Sequence, residues 1–297
     1  MKIFLTGMNG QLGYQLERDL KKTHEVIAMD RNTLDLINLQ LVEDTIYQVK
    51  PDLIINAAAY TNVDKAEKEK DLAYQINALA PKALAKAAKE LDIPIIHFST
   101  DYIFDGSKKD AYLEGDIANP LSVYGETKWQ GEEFVRQNLK HFILRTSWVF
   151  SSHGHNFLKT IIKLAQEKIS LNIVDDQWGS PTSVKTLSKA IQAIIHHLEE
   201  KNTYDIYGTY HVTSDGETNC YLYTRKILDA LENSKIELKL KKSDVHPIPS
   251  SQYPQNAIRP KNSRMNTTKF KKTFMVEFPQ WANEAEYIVS QIIKDLN

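Results

Sequence analysis

Seven residues, Gly7-Met8-Asn9-Gly10-Gln11-Leu12-Gly13, follow a short apolar run at 2–6 and open a stretch in which Leu12, Leu16 and Leu20 share one helical face. No other feature of the chain restricts its fold as tightly. A strand that breaks at a glycine and enters a helix within a few residues starts a βαβ unit, whose crossover implies a parallel sheet. Glycines in such a loop allow the tight turn, the approach of a pyrophosphate to the backbone, and close packing of helix on strand. The helix N-terminus adds free N–H groups for an anion. The spacing is GxxGxxG, one residue wider than GxGxxG. A glycine-rich turn without a ligand is the alternative reading. We expect Gly7, Asn9, Gly10, Gln11, Leu12 and Gly13 to hold a dinucleotide.

The next residues repeat the rhythm. Strands are expected at 2–6, 25–29, 53–56, 94–98, 142–145 and 171–174, several of them apolar nearly throughout, as strands buried on both faces are. Helices fall between them, one carrying the stripe Leu79, Ala83, Ala87 and Leu91, another spanning 38–49. The fold class is therefore α/β, a Rossmann-like doubly wound parallel sheet. After about residue 176 the pattern changes to helices near 184–199 and 219–231, a strand-like 209–212, and a closing helix over 281–296. Between them lies the proline-rich stretch His246-Pro247-Ile248-Pro249 through Arg259-Pro260, where missing donors and fixed φ argue against regular sheet or helix. We expect residues 1–175 to form a dinucleotide-binding domain and 176–297 a smaller, mixed substrate-binding domain, with a discontinuous boundary and some helices returning to the first.

Composition excludes several classes. The net charge of −1 gives no bulk attraction to nucleic acid or membrane, and Lys239-Leu240-Lys241-Lys242 reads as a solvated patch. No run approaches the roughly 18 apolar residues of a membrane span. The first residues lack a signal-peptide core. Cys220, the single cysteine, leaves no intrachain disulfide and fits a reducing compartment. A cytoplasmic protein is expected.

Asp30-Arg31 ends the second strand. Asp30 can bond a ribose 2′-OH, as in NAD, whereas Arg31 can pair with a 2′-phosphate, as in NADP. With Asp30 free to rotate away, NADP(H) is preferred and NAD(H) is possible. Asp35-Leu36 could frame the adenine or could be only a turn before the next helix. Asn56-Ala57-Ala58-Ala59-Tyr60 ends the third strand with small side chains that let Ala57, Ala58, Ala59 and Tyr60 pass beneath the cofactor, although tight packing alone would also explain them.

The reactive candidates follow. Tyr124 and Lys128 are four residues apart, hence neighbours on one helix face, and Ser99-Thr100 lies upstream at the end of an apolar run. Such a trio can protonate a carbonyl oxygen while a nicotinamide delivers hydride to the carbon, with Lys128 lowering the Tyr124 pKa and holding ribose hydroxyls. A YxxxK spacing alone also arises by chance on a solvated helix. The histidines at 153, 155, 196 and 197 lack Cys or Glu at zinc-ligand spacing.

With the glycine loop, Asn56-Ala57-Ala58-Ala59, Ser99-Thr100 and Tyr124-xxx-Lys128 in order, the chain resembles the extended short-chain dehydrogenase/reductases. It is most similar to a branch that reduces nucleotide-linked 4-keto sugars. The more specific matches are Ser99-Thr100-Asp101-Tyr102-Ile103-Phe104-Asp105-Gly106, Asn119-Pro120-Leu121-Ser122-Val123-Tyr124-Gly125, Arg145-Thr146-Ser147-Trp148-Val149, Asp176-Gln177-Trp178-Gly179-Ser180-Pro181-Thr182 and Arg259-Pro260-Lys261-Asn262-Ser263. The resemblance implies that Thr100, Tyr124 and Lys128 are catalytic. It places Thr61, Val63, Asp101, Tyr102 and Trp148 beside the sugar, and Gln177, Trp178, Pro181 and Arg259 beside the nucleotide. The partner it implies is a nucleotide-sugar substrate. Related dehydratases carry Asp-Glu after the threonine; here Asp101-Tyr102 leaves no such Glu. Epimerases share the trio and are harder to exclude, with Trp148 favouring the reductase branch. A non-catalytic relative would be expected to lose the Tyr or Lys. Some members are dimers bridged by Mg²⁺ through a first-helix carboxylate. That position is Gln15 here, a poor ligand for a hard cation, so no metal and a monomer or weak homodimer are expected.

Overall fold

The computed structural model describes residues 1–200, 206–232 and 236–296. Strands β1 (Lys2–Thr6), β2 (Glu25–Met29), β3 (Leu53–Asn56), β4 (Ile95–Thr100) and β5 (His141–Thr146) come first. Four short strands follow: β6 (Val149–Phe150), β7 (Leu171–Val174), β8 (Trp178–Gly179) and β9 (Thr182–Ser183). The last three are β10 (Gly208–His211), β11 (Thr218–Asn219) and β12 (Val245–Ile248). The main sheet is parallel with the order β10-β5-β4-β3-β1-β2, so the winding reverses between β1 and β3. A ligand crevice forms at the carboxyl ends of strands on either side of such a reversal. The glycine loop leaves β1 there, and Ala57 leaves β3.

Helices α1 (Gln11–Leu20), α2 (Leu39–Val49), α3 (Val63–Ala66), α4 (Lys70–Tyr74) and α5 (Ala80–Glu90) precede the midpoint, and α6 (Val123–Val135), α7 (Phe157–Glu167), α8 (Val184–Glu199), α9 (Cys220–Glu232), α10 (Thr268–Phe274) and α11 (Trp281–Leu296) complete the set. Strand alternation divides the core into two faces. Ile3, Leu5, Leu53, Ile55, Ile96, Phe98, Phe142 and Leu144 pack with Leu12, Leu16 and Leu20 of α1 and with α8. Phe4, Ile54, Ile95 and Ile143 point the other way, into α2, α5 and Val135 of α6. Each such aliphatic or Phe side chain contributes about 1.5–3 kcal/mol by leaving water. Short polar caps fix where helices begin: Asn38 for α2, Ser122 for α6, Asn156 for α7 and Ser183 for α8 each accept from a first-turn N–H.

A second apolar cluster joins α7, α9 and α11 to Leu240 and Val245. Here the structure corrects two expectations. The 171–174 strand does not extend the main sheet: β7 pairs with β12 in a separate two-stranded sheet. The sixth strand of the main sheet is instead β10, which pairs with β5. The proline-rich stretch also contains regular sheet, because Pro247 lies within β12 opposite Ile173. A two-stranded ladder leaves an outer edge on which a missing N–H costs little. Finally, β4 runs two residues past 98 and pairs Thr100 with Thr146, which places Thr100 at the carboxyl end of the sheet.

Candidate active site

Gly7 adopts φ +77°, and a Cβ there would stand 2.7 Å from the Ala58 nitrogen. A Cβ on Gly13 would stand 2.0 Å from the Gly7 oxygen, so helix and loop touch backbone to backbone. Gly10 begins α1 without a side-chain cap, and no acidic residue occupies the first turn. The positive end of α1 is thus left to an anion, and these residues fit the pyrophosphate of a dinucleotide. Gln11 has a second task. Its Oε1 accepts from Ser151 Oγ (3.0 Å) and Asn156 Nδ2 (2.8 Å), tying the loop to residues that follow β6.

Asp30 does not swing away. One carboxylate oxygen accepts from the Asn32 and Thr33 N–H groups and the Thr33 hydroxyl, and the other accepts from Asn9 Nδ2 at 2.8 Å. Its acceptors are spent on the loop itself, whereas Arg31 beside it is exposed. Asp35 makes a local turn by accepting from the Ile37 N–H, and Leu36 is buried against α2 and α5. Ala57, Ala58, Ala59 and Tyr60 are half-buried. Asn77 grips this segment, accepting from the Tyr60 N–H (2.8 Å) and donating to the Tyr60 carbonyl (3.1 Å). Asn77 lies in a one-turn π-helix, Gln75–Leu79, just before Pro81, and Gly131 of α6 packs directly on its carbonyl.

Thr100, Tyr124 and Lys128 come together from β4 and α6. The Thr100 hydroxyl donates to Asp101 Oδ1 (3.0 Å) and accepts from the Tyr102 N–H (3.2 Å). Burial pushes the Tyr124 hydroxyl up to about 12; the Thr100 hydroxyl pulls it down and the Asp101 charge pushes it further up. Burial brings Lys128 down to about 8, opposed by Glu132 one turn on. The expectation that Lys128 lowers the Tyr124 pKa is not met in this arrangement. The Lys128 Nζ turns into the sheet, 2.5 Å from the Phe98 carbonyl and 3.4 Å from His97 Nε2. Glu132 is itself fully buried and doubly bonded by Arg145, whose guanidinium overrides burial and holds the carboxyl low.

Of the expected sugar neighbours, Asp101 and Tyr102 adjoin this group. Asp101 is buried, which lifts it to about 6 while the Ser263 and Thr100 hydroxyls pull it down, and among the described residues no donor lies within 3.5 Å of its Oδ2. The Tyr102 ring meets Tyr124 edge-on at 5.4 Å. Arg259 reaches the same place, its guanidinium close enough to act on Tyr102 and paired with Asp64 of α3 at 2.7 Å. Asp64 also accepts from the Asn256 and Ala257 N–H groups, so α3 fastens the 256–259 segment. Val63 starts α3 and Thr61 lies exposed just before it. Trp148 has φ +48°, an uncommon conformation for a bulky residue, and its indole lies on Gly179, where a Cβ would stand 2.8 Å away. Gln177 and Pro181 are buried; Trp178 is exposed and its backbone is held by Lys261 and Ser263. Among the described residues no group of three His, Cys, Asp or Glu could hold a metal ion, and the Gln15 amide donates to Asp19.

Sequence reasoning passed over Asn77, His97 and Asp64. The first two carried a signal: a lone polar residue inside an apolar stretch is costly unless partnered. Asp64, among surface-type charges, carried none.

The sheet order, the glycine loop at its reversal and a Tyr–Lys pair beside Thr100 define a dinucleotide-dependent oxidoreductase of the short-chain dehydrogenase/reductase kind. Comparison narrows this. A family model described as RmlD substrate binding domain matches residues 1–294, and the chain belongs to that family. It is 40% identical over 286 residues to dTDP-4-dehydrorhamnose reductase of Salmonella typhimurium, covering 95% of this chain and 94% of that one. Among solved structures, a Clostridium acetobutylicum dTDP-4-dehydrorhamnose reductase superposes with a TM-score of 0.90 at 38% identity, covering 98% and 99% of the two chains. A Bacillus anthracis dTDP-4-dehydrorhamnose reductase in complex with NADP gives 0.89 at 34% identity and the same coverage.

Proposed function

We propose that this chain reduces the C4 keto group of dTDP-4-dehydro-L-rhamnose to give dTDP-L-rhamnose, with NADPH preferred and NADH possible. The observation that carries the reading is the Tyr124 hydroxyl, buried beside Thr100 at the strand ends where the glycine loop opens. Full-length similarity to named reductases supplies the substrate. NADPH, when bound, supplies the hydride that C4 accepts. As charge builds on the C4 oxygen, the Tyr124 hydroxyl gives up its proton there; the O–H bond of the tyrosine breaks and that of the sugar forms. A pKa raised to about 12 keeps that proton in place at neutral pH until it is needed. Thr100 donates to the same oxygen and orients it. Asp101 Oδ2 accepts from a sugar hydroxyl, Tyr102 and Trp148 flank the ring, and Arg259 answers the diphosphate charge.

Arg31 selects NADPH by pairing with the 2′-phosphate, since Asp30 is occupied by its own loop. Residues 1–175 carry the cofactor and 176–297 mainly the sugar nucleotide. The protein acts in the cytoplasm as a monomer or weak homodimer without a structural metal. No helix is long and apolar enough to cross a membrane among the described residues. The test is turnover across a panel of nucleotide 4-keto sugars with Tyr124→Phe as control. Reduction of the dTDP-linked sugar by the wild type alone, with cofactor affinity kept in the variant, is expected. A variant that retained most of its activity would refute the acid assignment.

A further inference from the structure

Parallel strands buried on both faces are normally apolar throughout, yet three polar side chains cross this sheet side by side. Thr6, Asn56 and His97 occupy one register row: Thr6 pairs with Asn56 across β1 and β3, and Asn56 with His97 across β3 and β4. All three are buried, with His97 wholly so. They point to the face that also holds Phe4, Ile54 and Ile95, the face against which α6 packs. The row ends on Lys128.

Its hydrogen bonds have one consistent direction. The Ala58 N–H can only donate, and it meets Asn56 Oδ1 at 3.3 Å, which fixes the amide orientation. Thr6 Oγ1 donates to the same oxygen at 2.7 Å. The amide nitrogen of Asn56 must then face His97, and Nδ2 lies 3.0 Å from His97 Nδ1. A nitrogen that receives a hydrogen bond carries no proton, so His97 Nδ1 is bare. A neutral imidazole keeps its single proton on the other nitrogen, Nε2. That nitrogen lies 3.4 Å from Lys128 Nζ. An N–H directed at a neutral amine makes a hydrogen bond; directed at an ammonium it repels.

We propose that the row Thr6–Asn56–His97 is a positioning device for Lys128, which locks His97 as the Nε2–H tautomer and so favours the neutral amine over the ammonium. This rests on the reading of Lys128 as part of the catalytic group and adds residues that never touch the substrate. Other charged or titratable groups around Lys128 are few. Tyr124 and Glu132 share its helix, Arg145 of β5 and Arg136 compensate Glu132, and Asp101 follows β4 beside Tyr124. Glu132 and the Phe98 carbonyl, 2.5 Å from Nζ, favour the ammonium, and burial together with the row opposes it. The lysine is thereby kept near its point of proton exchange, where it can both give and regain a proton in each cycle. The Lys128 charge also holds His97 neutral, well below the ordinary histidine range, with burial the larger cause.

The direct test is the ¹⁵N spectrum of His97 in the full-length protein without substrate. The expected pattern is a bare Nδ1 and a protonated Nε2. A protonated Nδ1, or an imidazolium, at neutral pH overturns the proposal. Asn56→Asp keeps an acceptor for Ala58 and Thr6 but can no longer donate to Nδ1. The tautomer should invert, and the alkaline limb of kcat/KM should move up by about one pH unit as the ammonium gains a lone pair and a nearby charge. An unmoved limb with a folded enzyme contradicts the mechanism. His97→Leu, which removes the opposing N–H, should also move the limb upward, and a downward move would show that His97 serves the ammonium as an acceptor. Lys128→Met separates this from the underlying reading. Loss of its turnover is expected, and survival of turnover would remove Lys128 from catalysis whatever the tautomer proved to be.

Discussion

Replacing Glu132 by leucine should destabilise the protein severely, and replacing Arg145 by methionine with it should restore much of the loss. The two side chains are almost fully buried between α6 and β5 and meet through two bonds, Nε to Oε1 at 2.9 Å and Nη2 to Oε2 at 2.8 Å. Removing the carboxylate leaves a guanidinium in the core with the Glu114 carbonyl and the Phe104 and Trp129 rings around it but no countercharge paired with it among the described residues. Breaking a buried pair in this way costs about 3–5 kcal/mol. At about 2 °C per kcal/mol for a chain of this size, the midpoint should fall by about 6–10 °C. Glu132→Leu with Arg145→Met removes both buried charges, leaves Arg136 with Glu133 as its remaining partner and leaves the Glu114 carbonyl without its donor, a loss of about 1 kcal/mol for that bond. The double variant should therefore be more stable than Glu132→Leu alone, with a coupling energy of at least about 2 kcal/mol. Urea unfolding of the four proteins of the cycle, followed by circular dichroism, measures it. Singles that add to the double within about 0.5 kcal/mol would show that the pair is not the interaction described.

Three further outcomes follow from the cofactor loop and the site. Gly13→Ala forces a Cβ against the Gly7 carbonyl, which has no room to yield, and NADPH titration should show affinity reduced by at least about tenfold; wild-type affinity would contradict the packing. Arg31→Ala removes charge-assisted bonds of about 1.5–3 kcal/mol to a 2′-phosphate, so kcat/KM should fall about 10–100-fold with NADPH and stay level with NADH. Asp101 titrates at about 6 when folded against 3.8 in the reference state. Between those values the folded protein binds more protons than the unfolded chain, and stability from this group falls as pH rises through that window. Asp101→Asn should flatten that part of the stability curve, and an unchanged slope between pH 4 and 6 would assign it elsewhere.

Much of this architecture was legible in residue order because burial on two faces writes apolar runs into strands β1 to β5, and the glycine loop marks where the winding starts. The partner of a strand is not written in the strand itself. Leu171–Val174 reads like any buried strand, but its neighbour is the Pro247 segment, and only tertiary packing assigns it there. Gly208–His211 is short and polar at its ends, so nothing local announced a place beside β5. The catalytic residue types were readable from spacing. The direction of the Lys128 side chain was not, since a four-residue interval gives adjacency on a helix but not whether an ammonium turns toward Tyr124 or into the sheet. The row Thr6–Asn56–His97 brings together side chains from three distant stretches, which only register reveals.

The most direct measurement of the central claim is the stoichiometry of NADPH oxidation against product formed when the wild-type protein meets dTDP-4-dehydro-L-rhamnose. One NADPH consumed for each dTDP-L-rhamnose, identified by NMR, is the predicted result. No oxidation while NADPH remains bound, or a sugar product with its C4 carbonyl intact, would contradict the account.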